Sequence, residues 1–92
     1  MRLEWDEAKR RSNLTRHGID FATLGEIFSG APLSLLDDRY DYGEQRFITL
    51  GLLRGRVVSV VHTLSDDDVI RIISARKAER YEELKYFRER FN

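Results

Sequence analysis

The sequence contains no cysteine, no long apolar run and no net charge. Without cysteine the chain has neither a disulfide framework nor a thiolate metal site, as is typical of proteins of the reducing cytoplasm. The first six residues carry three charges instead of an apolar signal region, and no apolar run approaches the length of a membrane span. We therefore expect a soluble cytoplasmic protein that is not exported and does not contact a membrane.

The balance of charge also bears on nucleic-acid binding. The 16 basic and 16 acidic side chains cancel, so the net charge gives no reason to expect such binding. The distribution is uneven, however, because residues 71–92 hold seven basic and four acidic side chains, whereas residues 37–44 and 66–68 are acidic. Cationic segments of this kind can meet RNA or an acidic partner while the acidic loops limit non-specific binding.

The first part of the chain predicts helices. At 92 residues the chain forms one domain, residues 1–92, with a single core. Asp6 as N-cap and Gly18 as C′ residue predict a first helix from about residue 7 to residue 17. Asp20 can cap a second helix. The apolar face of that second helix recurs at helical spacing and consists of Phe21, Leu24, Ile27 and Phe28.

The second part predicts a sheet followed by a helix. Strands are expected at residues 33–36, 46–53, 56–63 and 69–74, with a hairpin turn at Arg54-Gly55. Ser74 is a candidate cap for the terminal helix. The expected core-facing stripe of that helix consists of Ala78, Tyr81, Leu84, Phe87 and Phe91. This order predicts an α+β domain, with a small antiparallel sheet of about four strands, two N-terminal helices and one C-terminal helix.

The first helix carries candidate functional residues on one face. Lys9, Asn13 and His17 follow Asp6 at spacings of three, four and four residues, so they align along the helix. One interpretation is a face kept for contact with a ligand. The other is a solvated helix, in which His17 lies near the negative end of the helix dipole. The spacing alone leaves both open.

Arginines near the end of the last strand suggest a site for an anion. Arg71 interrupts a β-branched run, and Arg76 and Arg80 are expected at the start of the terminal helix, where positive charge opposes the dipole. Phosphate is a natural counterion because the guanidinium fork matches its oxygens. The alternative is internal ion pairing with Glu79, Glu82, Glu83 or the acidic segment 37–44.

Three further residues have two interpretations each. Glu82 and Tyr86 lie one helical turn apart and are either a general base with its neighbour or plain helix surface. His62 is either a packed histidine or an acid–base group. The two histidines lack metal-ligand spacing, and the chain has no glycine-rich phosphate loop, so neither a metal nor a cofactor is expected.

Three separated motifs resemble one known family. They are Trp5-Asp6 with Lys9, Asn13, His17-Gly18-Ile19 and Phe21; Asp41-Tyr42-Gly43-Glu44 with Arg46 and Gly51; and the segment from Arg71 to Ala78 with Glu82 and Tyr86. In this order they resemble the BrnT family, toxins of type II toxin–antitoxin systems, from residue 3 to about residue 86. Carried over position by position, the matching polar residues are Lys9, Asn13, His17, Glu44, Arg46, Arg71, Arg76, Glu82 and Tyr86.

The resemblance implies a fold similar to that of RelE toxins and a metal-independent endoribonuclease that halts translation and growth. It implies a BrnA-like ribbon-helix-helix antitoxin as partner, with two copies of each chain, RNA as substrate and promoter DNA bound mainly through the antitoxin. A non-catalytic co-repressor subunit is the alternative function. One departure is that the arginine expected after Thr63 is missing, which makes the chain a weaker nuclease or gives its role to Arg56 or Arg71.

These observations together predict the site. Metal-free RNA cleavage needs a base, an acid and cations around the phosphorus, and histidine titrates nearer to neutral pH than a carboxylate does. We expect one pocket formed by the first helix and the junction of the last strand and last helix. Its predicted catalytic residues are His17, Lys9, Arg71, Arg76 and Glu82, and its predicted RNA-binding residues are Arg46, Arg80, Lys77, Asn13 and Tyr86.

Overall fold

The structure, a computed structural model, describes residues 1–91. Three α-helices, one 3₁₀ turn and five strands make up this part of the chain, and none of its helices is long and apolar enough to cross a membrane. The elements are β1 (Arg2–Glu4), α1 (Glu7–His17), the 3₁₀ turn (Phe21–Thr23), α2 (Gly25–Phe28), β2 (Leu33–Asp37), β3 (Arg46–Leu53), β4 (Arg56–Leu64), β5 (Val69–Lys77) and α3 (Arg80–Phe91).

The five strands form a single mixed sheet in the order β1-β5-β4-β3-β2. β1 runs parallel to β5, and the other neighbours are antiparallel. The prediction of about four antiparallel strands is thus wrong by one strand. β1 pairs through only three residues, so its charged–apolar–charged alternation is too short to predict a strand. The hairpin turn is confirmed, since Arg54 and Gly55 both have positive φ, as a two-residue turn of type I′ requires.

Helices cover both faces of the sheet. The α1, 3₁₀ and α2 segments pack on β5 and β3, whereas α3 packs on β2, β3 and β4. The larger apolar cluster joins the N-terminal helical segments to the sheet, through residues such as Phe21, Leu24, Val60 and Ile72. A smaller cluster under α3 contains Leu50, Val57, Ala78 and Tyr86. Helices therefore cover part of each sheet face, and the region around Arg71 remains exposed.

The first helix has the predicted bounds and caps. The Asp6 carboxylate accepts hydrogen bonds from the backbone N–H groups of Ala8 and Lys9, and Gly18 ends the helix at a φ of 72°. Asn13 is its one buried residue. The helix consequently depends on its caps and on Asn13 more than on apolar burial.

The second predicted helix is broken in two. Asp20 caps the 3₁₀ turn as expected, but the α-helix after it is only four residues long. Phe21, Leu24 and Ile27 are nevertheless fully buried. Ile27 packs directly over Gly51 of β3, where any Cβ would overlap the Ile27 side chain. The apolar pattern therefore marked the buried residues correctly and overestimated the length of helix.

The last strand is longer than predicted. It runs to Lys77, which pairs with Val58 of β4, so Ser74 is not a helix cap and Arg76 lies in a strand. The helix begins at Arg80, where the Glu82 carboxylate accepts the backbone N–H of Glu79 at 2.8 Å. Pairing with β4 overrides the helix propensity of this segment.

Of the core stripe predicted for the terminal helix only Ala78 is buried, and Ala78 lies before α3 begins. The buried residues of α3 are Glu82 and Tyr86, because Glu82 binds Arg76 and the Tyr86 hydroxyl donates a hydrogen bond to the Ala31 carbonyl oxygen at 2.9 Å. These polar ties fix which side of the helix faces the sheet. The remaining apolar residues of the stripe are exposed, namely Tyr81 (64%), Leu84 (49%), Phe87 (44%) and Phe91 (59%).

His62 is a packed residue of β4. Its ring lies between the rings of Phe28 and Phe47. Nδ1 lies 3.1 Å from the Thr63 carbonyl oxygen, which can only accept, so Nδ1 carries the proton and Nε2 accepts from the Thr49 hydroxyl at 2.6 Å. Burial lowers the pKa of His62, because the charged ring would lose its hydration.

This burial predicts a pH dependence of stability. The unfolded chain binds a proton at histidine near pH 6.5, whereas the folded state resists it, so the contribution of His62 is complete above about pH 6.5 and is lost as the pH falls below it. We expect the free energy of unfolding, measured with urea, to be about 1 kcal/mol lower at pH 5.5 than at pH 7.5. His62→Gln should remove most of this difference and His17→Gln should keep it. Equal pH dependence in both variants would contradict the assignment.

Candidate functional site

A β-bulge in β5 determines where its arginines point. Val61 of β4 pairs with Ser74 while His62 pairs with Ile72, so Ile73 is an extra residue in the last strand. Arg71 and Arg76 are five positions apart and would point to opposite faces of a regular strand. The extra residue shifts the alternation, and Arg71, Ser74 and Arg76 therefore lie on the same face.

A third arginine joins this face from β3. Arg71 pairs with Thr63, and Phe47 pairs with His62, so Arg46 is beside Thr63 in the same cross-strand row. Neighbouring strands are about 4.8 Å apart, which separates the backbones of Arg46 and Arg71 by about 10 Å. We call Arg46, Arg71 and Arg76 the arginine face.

The face is bordered by a groove between α1 and β5. It has a volume of about 200 Å³ and is open to solvent. Ser74 lines this groove and also lies on the same side of the sheet as the three arginines. The groove therefore opens beside the arginine face. Apart from Ile73, its lining consists of basic and neutral polar side chains, without a carboxylate. The lining residues are Lys9, Ser12, Asn13, Arg16, His17, Ile73 and Ser74.

The three arginines differ in their partners. The Arg46 guanidinium lies 4.1 Å above the Tyr42 ring and 3.3 Å from Glu44 Oε2. Arg76 donates two hydrogen bonds to Glu82, at 2.8 and 3.2 Å, which raise the pKa of the Arg76 guanidinium. Arg71 is exposed, and within residues 1–91 no carboxylate forms an ion pair with it. Arg71 is thus the member of the face with the most freely available charge.

Comparison with known proteins identifies the family. The family model described as "Ribonuclease toxin, BrnT, of type II toxin-antitoxin system" matches residues 5–82. The chain belongs to the BrnT family. Its fold is similar to the crystal structure of the Brucella abortus ribonuclease toxin, BrnT, with a TM-score of 0.67 and 28% identity over 87% of this chain and 99% of that chain. No curated protein matches the chain.

The structure of this BrnT-family chain forms only part of the predicted pocket. Lys9, Asn13 and His17 line the groove together, but Arg71 and Arg76 are beside it and do not line it. Arg16, which the sequence analysis missed, does line it. Arg16 lies seven residues after Lys9 and three after Asn13, so helical spacing could have revealed it.

Two predicted site residues have structural roles. Asn13 is 6% exposed: its Nδ2 donates to the Ile19 carbonyl oxygen at 2.9 Å, and its Oδ1 accepts the Ala75 N–H at 3.1 Å. These hydrogen bonds hold α1 against β5. Because Asn13 is buried, its position does not support the prediction that it contacts RNA. Glu82 is likewise 6% exposed, and its carboxylate is occupied by Arg76 and by the Glu79 N–H. A general base with both oxygens bound and little exposure has poor access to a substrate proton.

Three predicted RNA-binding residues do not form part of the arginine face. Tyr86 is 1% exposed and belongs to the core under α3. Lys77 pairs with Val58, a member of the larger core cluster, so it lies on the face opposite Arg76. Arg80 is exposed at the first position of α3, outside the strand. Propensity had placed Lys77 and Arg80 in one helix with Arg76, which explains why they were grouped.

The missing arginine after Thr63 has a possible substitute. Arg71 pairs directly with Thr63, whereas Arg56 begins β4, seven residues and about 23 Å of strand away. Geometry therefore favours Arg71 over Arg56. Within residues 1–91, no three histidine or acidic side chains come together as metal ligands would.

Asn13 provides a test of how the groove is built. Asn13→Ala removes two buried hydrogen bonds and leaves the Ala75 N–H without its partner, so we expect the free energy of unfolding to fall by about 2 to 4 kcal/mol in urea denaturation. Ser12→Ala, at the exposed neighbouring position, should change it by less than about 0.5 kcal/mol. Similar small effects in both variants would show that Asn13 does not hold α1 in place.

Proposed function

We propose that this chain is a metal-independent endoribonuclease toxin that cuts cellular RNA in the cytoplasm and so inhibits translation and growth. One observation carries the proposal: the bulge at Ile73 places Arg71 and Arg76 on the same sheet face as Ser74, at the mouth of the groove that contains His17. The groove and the arginine face therefore meet at Ser74, and an RNA strand bound across this edge of β5 would contact both. Family membership supports the choice of RNA as substrate.

The proposed phosphate position is over Ser74. Consecutive side chains on one face of a strand are about 7 Å apart, so Arg76 lies one such step from Ser74 and Arg71 lies on its other side. A phosphodiester there meets two guanidinium groups, whose forked donors fit the oxygens of the phosphorane. Lys9 and Arg16 add positive charge from the groove. Charge that develops on the phosphorane is stabilised by this fixed arrangement.

His17 is the proposed proton carrier. In the reaction the 2′-hydroxyl attacks the adjacent phosphorus, the 2′ proton passes to a base, and the 5′-oxygen leaves with a proton from an acid. His17 is exposed and lines the groove, whereas Glu82 is buried and bound to Arg76. We therefore assign to His17 the role of the base that takes the 2′ proton, while the departing 5′-oxygen takes a proton from solvent water. Glu82 acts as a positioning residue that orients Arg76.

The partner is proposed to be a BrnA-like ribbon-helix-helix antitoxin, in a complex with two copies of each chain that binds promoter DNA mainly through the antitoxin. The outward side of α3 is the surface that fits it. Four exposed cations stand among the exposed apolar residues of this helix, namely Arg80, Lys85, Arg88 and Arg90, beside one exposed acid, Glu89. An acidic amphipathic segment of the antitoxin would cover the apolar residues and neutralise the cations.

Substitution of Arg71 tests the catalytic proposal. Arg71→Ala removes an exposed, unpaired cation, so the fold should be unchanged while RNA cleavage falls by about a hundredfold. Arg76 is a poorer choice, because its loss would leave the buried Glu82 carboxylate unpaired. The measurement is cleavage of total RNA by the purified protein, with and without EDTA. The matched control is Arg56→Ala, an exposed arginine that begins β4 on the sheet face opposite Arg71.

Each outcome of that assay has a meaning. Wild-type cleavage that persists in EDTA supports a metal-independent reaction, and cleavage abolished by EDTA refutes it. Undiminished cleavage by folded Arg71→Ala would remove Arg71 from the site. Absence of cleavage by the folded wild-type protein would favour the non-catalytic co-repressor instead.

The antitoxin surface has a separate test. Leu84→Lys places a charge in the middle of the outward side of α3 and keeps a good helix former there, so the toxin should still arrest growth. Co-expressed cognate antitoxin should then restore growth much less well than with the wild-type toxin. Leu36→Lys, at a leucine of similar exposure on β2, should be neutralised normally. Full neutralisation of the Leu84 variant would show that the antitoxin binds elsewhere.

A further inference from the structure

The loop between β2 and β3, residues 38–45, is held by one buried carboxylate. The Asp37 side chain is fully buried and accepts hydrogen bonds from Arg39 Nε at 2.7 Å, Arg39 Nη2 at 3.0 Å and the Tyr42 hydroxyl at 3.1 Å. Together these partners lower the pKa of Asp37 to about 2, with the Arg39 side chain as the largest cause. Arg39 and Tyr42, which flank Tyr40 in the chain, therefore both bind Asp37.

Tyr40 itself faces solvent from this anchored loop. It is 72% exposed, and its ring packs edge-on against the Tyr42 ring with 5.8 Å between centroids. The Tyr42 ring in turn lies beneath the guanidinium of Arg46. A continuous series of planar groups, Tyr40, Tyr42 and Arg46, thus leads from the loop tip to the arginine face.

Packing alone does not explain the position of Tyr40. Tyr40 buries little area, so it contributes little to the core. An aromatic ring on an anchored loop instead offers a flat apolar surface whose orientation is already restricted before a ligand arrives. Nucleobases have the matching flat faces, and in single strands these faces are free, whereas in a duplex neighbouring base pairs cover them.

We propose that Tyr40 forms a nucleobase-stacking subsite for single-stranded RNA. The base of a nucleotide near the cleaved phosphate stacks on the Tyr40 ring, while the intervening backbone phosphates meet Arg46 and Arg71. This inference rests on the proposed ribonuclease function and names the form of its substrate. The subsite selects unpaired RNA. It also determines how many nucleotides from the cleaved phosphate the protein contacts a base.

The experiment compares binding and cleavage of a short single-stranded RNA. A strand with one 2′-deoxy nucleotide at the cleavage position lacks the attacking hydroxyl and reports binding alone. Tyr40→Ala should weaken binding of this strand about tenfold and raise the KM for the cleavable strand to match, with little change in kcat. Tyr40→Phe and Tyr40→Trp should bind like the wild type, because they keep the ring. Tyr81→Ala, at a similarly exposed tyrosine of α3, is the matched control.

A second set of strands locates the stacked base. Removal of one base at a time should weaken wild-type binding most at a single position, and that strand should bind Tyr40→Ala and wild type equally. Equal binding of the intact strand by Tyr40→Ala, Tyr81→Ala and wild type would overturn the subsite while leaving cleavage, and thus the proposed function, in place. Ring-dependent binding without any cleavage by the wild type would support the subsite and reject the nuclease.

Discussion

The extra residue at Ile73 is the constraint on which the candidate site depends. A regular strand would send Arg71 and Arg76 to opposite faces, and only one of them could meet a phosphate. The bulge aligns them, and Asn13 binds the backbone at Ala75, two residues beyond it. The helix with the groove residues and the strand with the arginines are consequently fixed to one another at the point where the ladder is irregular. Bulges commonly re-aim side chains in this way next to functional sites.

Charge in the arginine face is distributed unequally, and this matters for its chemistry. Arg76 is oriented by Glu82, which also receives the Glu79 N–H at the start of α3. The Glu82 carboxylate therefore positions the Arg76 guanidinium and caps the start of α3. Its negative charge also weakens the positive electrostatic potential around Arg76. Arg71, the ladder neighbour of Glu4, forms no ion pair within residues 1–91, whereas Arg46 contacts both the Tyr42 ring and Glu44. Orientation and field strength are thus supplied by different residues.

Sequence reasoning succeeded where local rules decide the structure. The caps of α1, the Arg54-Gly55 turn and the apolar residues Phe21, Leu24 and Ile27 follow from capping, turn chemistry and periodicity. It failed where distant contacts decide. Pairing with β4 extends β5 through a helix-prone segment, and the ties of Glu82 and Tyr86 turn α3 so that its apolar stripe faces outward. Within the site, the spacing on α1 grouped Lys9 and His17 correctly, but no pattern could show that Asn13 is buried.

The contact between Asn13 and Ala75 has a consequence for the sheet as a whole. β1 accompanies β5 for only three residues, so the later part of β5 would otherwise be a free sheet edge. Such edges invite the addition of a foreign strand, and hence oligomers or fibrils, because their amide groups are unpaired. A side chain from a polar helix occupies the amide at Ala75 instead. The residue that shapes the groove therefore also occupies one of the edge amides of β5 to which a foreign strand would pair.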